Sequence, residues 1–84
     1  MRIAVYKDGR LVAKATADRL DVCAKSLMIF NMKIKEEIAR DYFYFPYEGE
    51  ITFVLHVDEL RIDLFEPHES GEGHHHIRLV AYDW

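Results

Sequence analysis

One cysteine in 84 residues, Cys23, has no partner for an intrachain disulfide and no second thiolate for a zinc site, which suits a reducing compartment. Apolar runs are short as well. None approaches the roughly 18 residues of a membrane span, and the opening MRIAVYKDGR lacks the apolar centre of a signal peptide. The expectation is a cytoplasmic protein with no membrane partner. Positive charge is what the second half lacks: Met1 to Tyr42 carries nine Lys or Arg against six Asp or Glu, and Phe43 to Trp84 carries two against nine. Such an acidic surface is repelled by phosphate, which argues against direct nucleic-acid binding and points to a protein partner with a basic surface. Phosphate loops and dinucleotide fingerprints are missing too.

A chain of this length makes one domain, residues 1–84, that buries roughly 60 to 65% of its unfolded surface, too little for a deep enzyme cleft. Hydrophobic residues make up 50% of it, enough to exclude disorder. Asp8-Gly9 between RIAVYK and RLVAKAT accepts the positive φ angles of a type I′ turn, so residues 2–16 read as a hairpin with Tyr6 opposite Leu11 and Val5 opposite Val12.

Neither Gly nor Pro interrupts Arg10 to Phe45. With Asp18 as N-cap, that stretch reads as a helix over residues 19–41, with Leu20, Cys23, Ala24, Leu27, Phe30, Ile34, Ile38 and Tyr42 on one face. Val22, Ile29 and Met32 point away from that stripe. A helix of this length would be about 35 Å long, so a break near Asn31 is one alternative and a strand over SLMIFNM is another. Cys23, on the inward face, reads as a buried, inert thiol.

EITFVLHV and LRIDLFE flank Asp58-Glu59 as a second hairpin, pairing Val57 with Leu60, Leu55 with Ile62 and Phe53 with Leu64 on its core face. Residues 42–47 form a strand before it. HIRLVAYDW forms one after it, with Ile77, Leu79 and Ala81 inward and His74, His76, Arg78, Val80, Tyr82 and Trp84 outward. The fold class is α+β: an antiparallel sheet of five to six strands with one main helix on one face, in the order ββαβββ.

The consecutive histidines His74, His75 and His76 precede a strand rather than trail off as a tag does. A tetrahedral metal site would need a third ligand, and His56, Asp63, His74 and His76 are the candidates; the alternative is an ordinary polar surface, and no metal or cofactor is expected. No nucleophile has a catalytic setting, Ser26 and Ser70 included, so no catalytic residues are assigned.

The outer sheet face gathers Phe43, Phe45, Val54, Phe65, Val80, Tyr82 and Trp84, bordered by Asp58, Glu59, Asp63, Glu66, Glu69 and Glu72. An apolar patch with an acidic border is a docking surface for a basic protein, unless a loop or a homodimer mate covers it. The run Ile3-Ala4-Val5-Tyr6 followed by Gly9 resembles the first hairpin of a type I-F anti-CRISPR protein, one of the small phage inhibitors of bacterial surveillance complexes. The likeness covers about fifteen residues. It implies a non-catalytic inhibitor, acting in the host cytoplasm, that occupies a basic nucleic-acid-binding groove, and adds Tyr6 to the partner-binding candidates.

Overall fold

The computed structural model describes residues 1–35 and 38–82. It is all β: eight strands, β1 (Arg2–Lys7), β2 (Arg10–Thr16), β3 (Arg19–Val22), β4 (Ser26–Lys35), β5 (Ile38–Pro46), β6 (Glu48–His56), β7 (Glu59–Pro67) and β8 (His74–Tyr82). All pairings are antiparallel, in the order β3-β4-β2-β1-β8-β7-β6, with β5 on the other side of β4. The sheet curls into a half-barrel with its hydrophobic core on the concave side. Leu27, Ile29, Ile62, Leu64, Ile77 and Leu79 are fully buried there, and no described polar or charged side chain is buried.

The α+β expectation is therefore wrong, because the segment read as a helix is β3, β4 and the start of β5. The absence of Gly and Pro allows either structure, and the β-branched and aromatic residues of SLMIFNM favour the pleated one. Period two then decides burial. Ile29 and Met32, which a helical wheel turns outward, are 0% and 5% exposed, while Tyr42, which it turns inward, is 55% exposed.

The turns of this region carry no glycine. Ala24-Lys25 closes the β3–β4 hairpin, with Cys23 N–H donating to Ser26 O at 2.8 Å. Tyr47 then spans the same turn from outside, its N–H donating to Lys25 O and its hydroxyl to Cys23 O. Cys23 sits in this turn and is exposed, not buried. Asn31, the residue suspected of breaking a helix, instead kinks β4 through its φ of 53°. Its side-chain amide donates to Asp18 Oδ2 at 2.7 Å. Asp18, expected as a helix N-cap, is thus a clasp from the β2–β3 link to β4; a short polar side chain such as Asn31 tolerates the left-handed region and adds a side-chain bond there.

The first hairpin is as expected at its turn, where Asp8 and Gly9 take φ of 51° and 81°. Tyr6 pairs with Leu11, but a bulge moves Val5 opposite Ala13 rather than Val12. In the second hairpin the turn is Val57-Asp58, one residue earlier than expected, so Leu55 faces Leu60 and Phe53 faces Ile62. Moving each pairing by two residues keeps every side chain on its face.

We expect a far-UV circular dichroism spectrum of the β type, with a single minimum and no helical band pair. Leu79→Ala, at a wholly buried position, should cost about 2–5 kcal/mol in urea denaturation, whereas Leu55→Ala on the same concave side, largely exposed, should cost well under about 1 kcal/mol.

Candidate protein-docking site

The histidine run sits where β8 enters the sheet, and each imidazole has its own carboxylate. His74 Nε2 lies 2.9 Å from Glu48 Oε2, His75 Nδ1 2.7 Å from Asp8 Oδ2, and His76 Nε2 2.6 Å from Asp63 Oδ1. An ionised carboxylate only accepts, so these ring nitrogens carry the protons. Arg78 Nε donates to the same Asp63 oxygen at 2.8 Å. Asp8 Oδ1 also accepts from His76 N–H at 3.0 Å, fastening the first turn to β8.

Partial burial pushes the Asp63 carboxyl up, but the hydrogen bonds from Arg78 and His76 outweigh it and hold the group below its ordinary value of 3.8. The His75 hydrogen bond, aided by the backbone N–H of His76, holds Asp8 below 3.8 as well.

The proposed ligand set does not converge. His56 faces Glu59, which faces Tyr82, six residues along β8 from His76 and so roughly 20 Å away. Among the described residues no group of three or more His, Cys, Asp or Glu could hold a metal ion. His68 stacks against His75 at 4.8 Å and bonds Ser70 Oγ at 2.8 Å, which closes the loop after β7. A cavity of about 600 Å³ lies along β1, β2 and β4. Its described ionisable lining is Arg2, Tyr6, Lys14, Lys33 and Tyr82, so no carboxylate or imidazole there pairs with a base.

The expected outer apolar face is not assembled. Phe43 and Phe45 turn inward against the core and pack edge to face with each other, ring centroids 5.0 Å apart, leaving Tyr42 and Tyr44 outside. Val80 is buried, and Tyr6 and Tyr82 are half-buried. Trp84 lies outside the described residues. Asp63, with His76 and Arg78, puts a polar cluster in the middle of the face, and Phe65 lies against the His76 ring at 5.5 Å. Of the acidic border, Glu59 approaches Arg61 and Glu66 approaches Lys7, both at 3.8 Å. Asp58, Glu69 and Glu72 are exposed.

The apolar surface lies instead on β6. Among the described residues this strand is paired on one side only, with β7. Phe53 and Leu55 share the concave face with Ile62 and Leu60, yet they are 51% and 64% exposed because no strand continues past them. Val54 on the convex face is 42% exposed and Val57 at the turn 98%. Ile51 to Val57 contains no charged residue other than a histidine. Sequence reasoning kept Val54 and assigned Phe53, Leu55 and Val57 to the core. The signal that could have found them is that uncharged run, since edge strands ordinarily carry a lysine or proline that stops a further strand from adding.

No family model, curated protein or solved structure matches this chain.

Because Asp63 and Asp8 have lowered values in the folded state, their contribution to stability is present above 3.8 and is lost as pH falls through the folded value. Thermal stability should therefore drop on acidification below about pH 4, and Asp63→Asn should flatten that drop. At neutral pH Asp63→Ala should cost about 1 kcal/mol, since both partners keep access to water. An acid transition identical in Asp63→Asn would contradict this assignment.

Proposed function

We propose that this chain is a non-catalytic protein-binding module that receives an extended strand of its partner along the open edge of β6. The observation that carries the reading is the coincidence, on one strand and the turn that ends it, of an unpaired backbone edge with exposed apolar side chains, Phe53, Val54 and Leu55 on β6 and Val57 in the turn. Main-chain hydrogen bonds supply affinity in such strand addition, and alternate side chains supply selectivity. An added strand would cover Phe53 and Leu55 on one face and Val54 on the other.

Charge narrows the partner. Glu48 and Glu50 precede the apolar run and Asp58 follows it, so a partner strand with Lys or Arg at its ends is favoured over an acidic one. The more specific form of this reading is an inhibitor of a basic nucleic-acid-binding protein, as the N-terminal resemblance implies. It rests on the same carboxylates, with Glu69 and Glu72 extending the negative field.

Selection of displayed random octapeptides on the immobilised protein tests the reading. Enriched peptides should alternate apolar residues and carry basic ends, and Leu55→Lys should weaken them about ten-fold or more without unfolding the protein. If no peptide is enriched, or if those enriched ignore Leu55→Lys, β6 is not the docking edge.

A further inference from the structure

The cavity along β1, β2 and β4, at about 600 Å³, has the size of a small-molecule site. We infer that it binds a small aromatic phosphate monoester, with the phosphate at Lys14 and Lys33 and the ring between Tyr6 and Tyr82. The site is separate from the β6 edge, since β8 and β7 stand between β1 and β6.

The hollow follows from side-chain size at alternating positions. Ile3 and Val5 point into the core, so Ala4 and Tyr6 share the convex side of β1. Ala4 pairs with Lys14 on β2, and Arg2, two residues along, pairs with Thr16 on β2 and with Tyr82 on β8. A single methyl group thus stands among long side chains, and the space it leaves is bounded by the stem of Lys14 and the half-buried rings of Tyr6 and Tyr82. Aromatic rings on either side of an apolar floor select a flat, apolar body.

The charge lies at the β2–β4 end. Lys33 is the direct partner of Thr16, and Lys14 is two residues from Thr16 on the same side of β2. Among the described residues neither lysine has a carboxylate within ion-pair distance, whereas Lys7, Arg19, Arg61 and Arg78 each have one. Two uncompensated ammonium groups beside a hydroxyl match one phosphate monoester, which carries a charge of about −1.5 to −2 at neutral pH and three strong acceptor oxygens. A carboxylate would balance only one of them. No described carboxylate lines the cavity, but the depression on the far side of Tyr6 and Tyr82 carries Glu59. An extended polyanion would run against that carboxylate, and a monomer stays within the basic end, where charges farther than about 8–10 Å are screened at ordinary salt.

Titration of the isotope-labelled protein with phenyl phosphate, followed by amide chemical shifts, tests the assignment. Shifts should concentrate in residues 2–6, 14–16 and 33 and saturate with a dissociation constant below about 1 mM. Inorganic phosphate, benzoate and benzyl alcohol, which each lack one part of the ligand, should bind at least ten-fold more weakly. Both lysines are exposed, so Lys14→Gln with Lys33→Gln should keep the melting temperature and weaken phenyl phosphate at least ten-fold, while Lys25→Gln, in the β3–β4 turn, should leave binding unchanged. Absence of saturation, shifts centred elsewhere, or an equal loss in Lys25→Gln overturns the inference. So does inorganic phosphate binding as tightly as phenyl phosphate, which would mean an adventitious ion only, or an equal affinity for benzoate or benzyl alcohol.

Discussion

The pairing of β1 with β8 is the contact on which the remaining architecture depends. Residues 2–7 run antiparallel to residues 77–82, from Arg2 opposite Tyr82 to Lys7 opposite Ile77. β1 also holds β2 on its other side. Without that ladder, strands β2–β5 and strands β6–β8 would be two separate meanders, each with its apolar face open. With it, Ile3 and Val5 meet Leu79 and Ala81, and the two halves share one interior. The hydrogen bonds between Asp8 and the first residues of β8 fix the register at the end of the ladder.

Closure stops short at the opposite side. Strands β5 and β6 are consecutive in sequence and separated only by Tyr47, but they do not pair. Tyr47 is bound through its N–H and hydroxyl to the β3–β4 turn, and a shift of register between Glu48 and Thr52, with Gly49 at a φ of 76°, redirects β6. The inner residues of β5, Phe43 and Phe45, fill the core beside β4. Beyond them the seam leaves β6 with one backbone edge and part of its apolar face facing water. The docking surface is thus a product of incomplete closure, and its side chains are those that a closed barrel would bury.

What could be read from the sequence follows the locality of each signal. The Asp-Gly turn, the second hairpin and the inward set Ile77, Leu79 and Ala81 depend on neighbouring residues, and all are present, whereas the strand expected over residues 42–47 forms but pairs with β4 instead of joining that hairpin. The central region failed because its apolar residues satisfy a period of two and one near 3.6 at once, and its turns lack Gly or Pro. There Asn31 bends β4 and Tyr47 fastens the β3–β4 turn through contacts that no short window shows. At β5, Phe43 and Phe45 face the core and Tyr42 and Tyr44 face water, the arrangement that keeps phenol hydroxyls hydrated. The expected pairing of residues 42–47 with the second hairpin is what set Phe43 and Phe45 on the outer face, and β5 pairs with β4 instead. The exposure of Phe53 and Leu55 depends on where the sheet ends, a property of the whole topology.

The same β1–β8 ladder sets the order in which the molecule can assemble. Its contacts join residues at opposite ends of the 84-residue sequence, so β1, though it lies mid-sheet, waits with one side unsatisfied until β8 has been synthesised. A topology so rich in distant contacts folds slowly, in milliseconds to seconds, and during that interval the nascent chain presents a second sticky margin besides β6.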